Sequence, residues 1–221
     1  MRKVKFVKGE FFHVYNRGVD KRNIFLDQGD YLRFCKALKF FNSESPCWIA
    51  TVNRKDQTPS PEDQLVDVIC FCLMPNHYHL LLRPITENGV TKFMRKLNTG
   101  YTIYFNIKHQ RTGRLFENKF KAIHVDNDLY LKHLTRYIHL NPLDLYQGEW
   151  REGKVGNAKS SLRYIEDYPW SSYSSYVSKF KRNDIINPKP LMEIFGGENY
   201  ENFVASWTAR DFDTVRPLTL E

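Results

Sequence analysis

Val66-Asp-Val-Ile-Cys-Phe-Cys-Leu-Met74, Pro75-Asn76 and His77-Tyr-His-Leu-Leu-Leu82 are two apolar runs, suited to a pleated surface, on either side of a pair with turn chemistry. They predict a central antiparallel strand pair. Upstream, Phe11-Phe12-His13-Val14-Tyr15 is aromatic and β-branched and is followed by Asn16-Arg17-Gly18, which predicts a first strand ending near Arg17. Between these strands, Tyr31, Phe34, Cys35, Leu38 and Phe41 recur at steps of three and four, so residues 30–41 read as an amphipathic helix that packs on the sheet. The polar stretch 53–64, with two prolines, reads as an exposed loop rather than a domain boundary.

Downstream, Val90, Phe93, Met94, Leu97, Tyr101, Tyr104 and Ile107 predict a second helix to about Gln110, with Gly100 its weak point. Leu115 to Val125 reads as another strand. Asp126 is the expected N-cap of a third helix running to Asn141, where Pro142 interrupts it. The order β-α-β-β-α-β-α predicts an α+β fold, a ferredoxin-like antiparallel sheet with helices packed on one face. Residues 1–142 are read as one domain. Residues 143–221 are read as a C-terminal extension, helical or irregular, containing the aromatic and serine cluster Tyr168-Pro-Trp-Ser-Ser-Tyr-Ser-Ser-Tyr176.

With 221 residues and 42% hydrophobic composition, the chain can bury a substantial core. No apolar run reaches the length of a spanning helix, and the start lacks the apolar core of a secretory signal, so a soluble, cytoplasmic protein is expected. Cys35, Cys47, Cys70 and Cys72 have no metal-binding spacing and read as free thiols. The net charge of +8 is concentrated between Arg83 and Lys121, where nine basic residues face two acids. Such a segment attracts polyanions, although a basic helix face is often merely solvated. Tyr101, Tyr104, Phe105 and Phe116 interleave with these charges. They suit either base-stacking platforms or core positions.

Two groupings carry chemistry. His77 and His79 sit two apart on an expected strand, so both imidazoles leave one face with Cα atoms roughly 6.5 Å apart and could converge on one ion. Tyr78 points the other way, into the core. At the end of the third helix, Tyr137 and Asn141 are four apart and share a helix face, where a hydroxyl and an amide oxygen could meet one site. The plainer alternatives are chance histidine spacing, a packing tyrosine and an asparagine that caps a helix before proline.

Four stretches in order, Phe12–Gly18, Leu73–Pro84, Gly113–Ala122 and Arg136–Pro142, resemble the REP-associated tyrosine transposases, members of the HUH single-strand nucleases within the IS200-like transposase superfamily. Tyr168–Tyr176 resembles a tryptophan-serine motif that follows that domain. The resemblance implies a metal-dependent enzyme that cleaves and rejoins single-stranded DNA through a 5′-phosphotyrosine. In it, Tyr137 is the nucleophile, and His77, His79 and Asn141 hold a divalent ion. Related insertion-sequence transposases usually carry glutamine at the last position, so Asn141 favours the REP-associated branch. It also implies hairpin-forming repeats as substrate. Phosphate oxygens and an amide suit a hard ion, Mg²⁺ or Mn²⁺, while two imidazoles leave Zn²⁺ open. Arg17, Arg95, Lys119 and Lys121 are candidate phosphate contacts. A monomer or homodimer is expected. Two rival readings keep the fold: a hydrolytic metal nuclease, and a non-catalytic single-stranded nucleic-acid binder.

Overall fold

The computed structural model describes residues 4–46, 60–146, 150–152, 158–177 and 184–207. Its centre is a four-stranded antiparallel sheet in the order β2-β3-β1-β4, formed by β1 (Phe11–Arg17), β2 (Val66–Met74), β3 (His77–Pro84) and β4 (Lys121–Val125). This is the order a ferredoxin-like chain gives. Within the pair decided by residues 66–82, β3 is interior and β2 lies at the sheet edge. A register shift between Val68 and Cys70 keeps both ends of the pair aligned.

Strand alternation divides the core in two. Phe12, Val14, Val68, Phe71, Leu73, Tyr78, Leu80 and Leu82 face one side, under α1 (Gln28–Phe40) and α2 (Gly89–Lys108). Those two helices form the expected layer. Cys70, Cys72, Met74 and Leu81 face the other side and meet Leu131, Leu134, Tyr137 and Ile138 of α3 (Asp128–Leu140). That second face is therefore covered as well. Its helix is amphipathic and lays Leu131, Leu134 and Ile138 on that face.

Local chemistry adjusts several expected boundaries. The N-cap of α3 is Asn127, whose side chain accepts from the Tyr130 amide, in place of Asp126. Strand β4 begins at Lys121, not Leu115. Residues 115–120 instead wrap the end of β1, where Leu115 O accepts from Val19 N–H and the carbonyls of Asn118 and Lys119 accept from Asn16 Nδ2. Side-chain amides thus replace a strand ladder. Gly100 is less a weak point than a fitted one, because a Cβ there would lie 2.5 Å from the buried Phe41 ring that joins α1 to α2.

Beyond α3 come α4 (Ala158–Asp167), α5 (Ser174–Val177), α6 (Lys189–Phe195) and α7 (Tyr200–Ala205). The tryptophan-serine stretch lies along the open edge of β2: Leu73 N–H donates to Trp170 O, and Ser172 N–H donates to Phe71 O. Tyr168 and Tyr176 hydroxyls donate to Leu73 O and Ile69 O. An edge that would expose a row of backbone groups is thereby paired. Cys70 and Cys72 are buried free thiols, while Cys47 and most of the predicted loop 53–64 lie outside the described residues. Among those residues, no helix is long and apolar enough to cross a membrane.

Candidate metal and nucleophile site

On β3 the two histidines leave the same face, with ring centroids 5.0 Å apart and planes perpendicular. Each has one nitrogen engaged. His77 Nδ1 lies 2.6 Å from Asn76 Oδ1, which can only accept, so His77 carries its proton on Nδ1 and presents a bare Nε2. His79 is fully buried, and its Nδ1 lies 2.9 Å from His13 Nε2. Its Nε2 is buried with no hydrogen-bond partner among the described residues.

Asn141, at the C-terminal cap of α3, is fully buried too. Its amide NH₂ donates to Tyr137 O at 2.9 Å, as a capping asparagine would, and this bond fixes which end of the amide is oxygen. Oδ1 therefore has no partner of its own among the described residues. Asn141 is nevertheless close enough to His77 to favour that ring's protonated form. Buried acceptors without donors cost on the order of 1–3 kcal/mol each, and two on one site are a common signature of a missing cation. Neutral imidazole nitrogens and an amide oxygen are the donor set for a divalent ion, so these residues fit one.

The electrostatics keep the imidazoles neutral. Desolvation pulls His77 down to about 3, helped by the charges of Arg17 and Arg151 and opposed by Asn141. His79 is held well below the ordinary histidine range by burial and then by His77, His13, Arg151 and Arg17. Neutral rings are the metal-ligating form.

Tyr137 on α3 faces this pair. Its ring centroid is 5.6 Å from that of His79 in a perpendicular contact and 6.0 Å from that of Trp150. The side chain is 1% exposed, held between the sheet and the segment 150–152. Arg151 in that segment is tied to Asp144 by two hydrogen bonds of 2.6 and 2.5 Å. Tyr130, one heptad earlier, is only partly buried.

The predicted phosphate contacts separate. Arg17 pairs in register with His77, and its buried Nε has no hydrogen-bond partner among the described residues. Lys121 pairs with Tyr15, lies over its ring at 5.9 Å, and Tyr15 in turn pairs with His79. These two flank the histidines. Lys119 is exposed in the loop before β4, and Arg95 is exposed on α2, in the layer beyond the sheet. Other members of the basic run serve the fold. Arg83 pairs with Asp67, Lys92 with Glu44 and Lys108 with Asp27 and Asp30, while Lys96 binds the carbonyls of Ser43 and Ser45. Tyr101, Phe105 and Phe116 are core rather than base platforms, and the Tyr104 hydroxyl donates to Asp30.

A second group of ligand-type atoms, Asp27, Asp30 and His109, joins α1 to α2. The Lys108 ammonium already sits among its carboxylates at 2.6 to 2.8 Å. A cation there would have to displace it, so this cluster is a helix clamp. Residues that the sequence reading did not single out are His13, Asn76, Trp150 and Arg151. Period-two alternation would have put His13 on the face of the histidine pair, since His13, Tyr15 and Arg17 share a side. Nothing in the sequence brings 150–152 over Tyr137.

The family described as "Transposase IS200 like" matches residues 60–141. Residues 60–141 of this chain are thus similar to the IS200-like transposases. That region contains β2, β3, α2, β4 and α3, and so His77, His79, Tyr137 and Asn141. A solved structure, "Structure of the REP associates tyrosine transposase bound to a REP hairpin", is 14% identical, with a TM-score of 0.54 over 81% of this chain and 86% of that one. It bears out the α+β fold. No curated protein matches the chain.

Proposed function

We propose that this IS200-like protein is a metal-dependent transposase and endonuclease of single-stranded DNA that cuts and rejoins strands through a covalent 5′-phosphotyrosine on Tyr137. The observation that carries this reading is the pair of orphaned buried acceptors, His79 Nε2 and Asn141 Oδ1, gathered with His77 beside the Tyr137 ring.

His77, His79 and Asn141 would hold Mg²⁺ or Mn²⁺, which when bound supplies Lewis-acid polarisation of a phosphate oxygen. Tyr137 supplies the nucleophile. Its phenol oxygen forms the bond to phosphorus, the P–O3′ bond breaks, and the phenol proton leaves as the 3′-hydroxyl is released. Attack by another 3′-hydroxyl reverses the exchange and rejoins the strand, with no nucleotide energy source. Arg17 and Lys121, on the histidine face, are placed to neutralise backbone phosphates. Arg95 and Lys119 would act at greater distance. The hairpin bound by the structural neighbour makes hairpin-forming DNA the first substrate to try.

The test is a denaturing gel with end-labelled single-stranded hairpin DNA and Mn²⁺. Wild type is expected to give a covalent protein–DNA band that Tyr137→Phe abolishes while DNA binding persists, and that His77→Ala also loses. Cleavage indifferent to Tyr137→Phe would make the protein a hydrolytic nuclease. Binding with neither adduct nor cleavage would make it a non-catalytic binder.

A further inference from the structure

The His13–His79 contact has an unusual geometry. The two ring planes are nearly parallel, inclined by 17° with centroids 5.1 Å apart, and His13 Nε2 lies 2.9 Å from His79 Nδ1. Rings in face contact keep their planes about 3.5 Å apart, so nitrogens 2.9 Å apart cannot belong to a face stack. The imidazoles instead lie edge to edge in nearly one plane, where a ring N–H and a ring lone pair point straight at each other. Both side chains are completely buried, which keeps water from competing for either nitrogen.

Such a bond holds one proton between the rings, and its placement sets the opposite edge of His79. With the proton on His79 Nδ1, the buried Nε2 is a lone pair open to a cation. With it on His13 Nε2, His79 Nε2 would carry the N–H and could not ligate; each arrangement leaves one buried ring N–H, on His13 Nδ1 or on His79 Nε2, so burial does not choose between them and the cation site does. His77 is arranged in the same way by Asn76, whose acceptor oxygen admits only the Nδ1 proton.

We propose that His13 is a positioning residue that accepts the Nδ1 proton of His79 and thereby presents His79 Nε2 as a metal-ligating lone pair. The proposal rests on the metal reading above. It adds that β1 supplies the outer partner of one ligand and the turn before β3 supplies that of the other. Outer partners of ligating histidines are commonly worth 10–100-fold in metal affinity.

The substitutions that separate this role from packing are His13→Leu, which removes the acceptor, and His13→Gln, whose side-chain oxygen reaches about as far as Nε2 and restores one. Long-range ¹H–¹⁵N NMR of histidine-labelled, metal-free protein at pH 8 reads the proton directly. Wild type and His13→Gln are expected to show His79 protonated on Nδ1 and bare on Nε2, and His13→Leu to shift the proton to Nε2 or to a mixture. In parallel, titration with Mn²⁺ alone should show His13→Leu weakened roughly 10–100-fold, with His13→Gln recovering most of the loss. A wild-type His79 carrying its proton on Nε2 overturns the proposal, and that measurement stands even if His13→Leu fails to fold. An unchanged tautomer or unchanged Mn²⁺ affinity in a folded His13→Leu overturns it as well. If wild type takes up no Mn²⁺, the metal reading falls instead, and the NMR result still decides what His13 does.

Discussion

At the residue scale, single hydrogen bonds decide which atoms remain for chemistry. Asn141 illustrates this. Its NH₂ is consumed by Tyr137 O, so the side chain is a capping residue and an open oxygen at once. Asn141→Ala should therefore do two things: lower stability by about 1 kcal/mol through the lost cap bond, readable in urea unfolding, and weaken Mn²⁺ binding measured by titration. Tyr137→Phe removes only a hydroxyl from a filled site and should change stability by less than about 1.5 kcal/mol while abolishing adduct. A large loss of stability would mean that the hydroxyl is chiefly structural. The four-residue spacing of Tyr137 and Asn141, and the resemblance of the surrounding motifs to a transposase family, point to these groups from the sequence alone. His13 is not legible that way, because a histidine inside an apolar strand is assigned a partner only once the neighbouring strand's register is known.

At the element scale, α3 is held over the histidines from behind. His139 is fully buried, with Nδ1 2.6 Å from the Tyr200 hydroxyl and Nε2 2.8 Å from Ser172 Oγ, and Ser172 Oγ also accepts from Phe71 N–H. One serine thus joins α3, β2 and the tryptophan-serine stretch. Ser172→Ala should cost on the order of 1–3 kcal/mol, because a buried imidazole nitrogen and a buried amide lose partners together. A melting temperature equal to wild type would show that this junction carries little. In the other layer, Gly100→Ala would ordinarily gain about 1 kcal/mol of helix propensity. Here the added methyl meets Phe41. Overpacking costs about 1–3 kcal/mol, so a net loss is expected in thermal melting. The existence and order of these elements were legible from hydrophobic period. The start of β4 was not, because the carbonyls of 118 and 119 are satisfied by Asn16 and Asn98 side chains, which no local pattern announces.

At the scale of the whole molecule, the sheet is a partition: α1 and α2 build a core on one face, and the other face holds the histidines beneath α3. The alternation of β3 already separated Tyr78 from His77 and His79. The placement of 150–152 over Tyr137 and of 168–176 along β2 came from long-range packing. Burying neutral imidazoles has a cost in acid. His139 and His77 are each pulled down to about 3, so below the unfolded histidine pKa of about 6.5 the unfolded chain binds protons that the folded one refuses. Metal-free stability should be level above about pH 7 and fall as pH drops from about 6.5 toward 3, by about 1.4 kcal/mol per pH unit for His139 alone. Urea midpoints unchanged between pH 7 and 4.5 would contradict that picture.

Two buried acceptors without donors, and the imidazole beside them, are read as a cation site next to the Tyr137 ring. Anomalous scattering from Mn²⁺-soaked crystals locates such an ion. A peak within about 2.0–2.3 Å of His77 Nε2, His79 Nε2 and Asn141 Oδ1 is expected. A peak among Asp27, Asp30 and His109, with none at the histidine pair, would overturn the assignment.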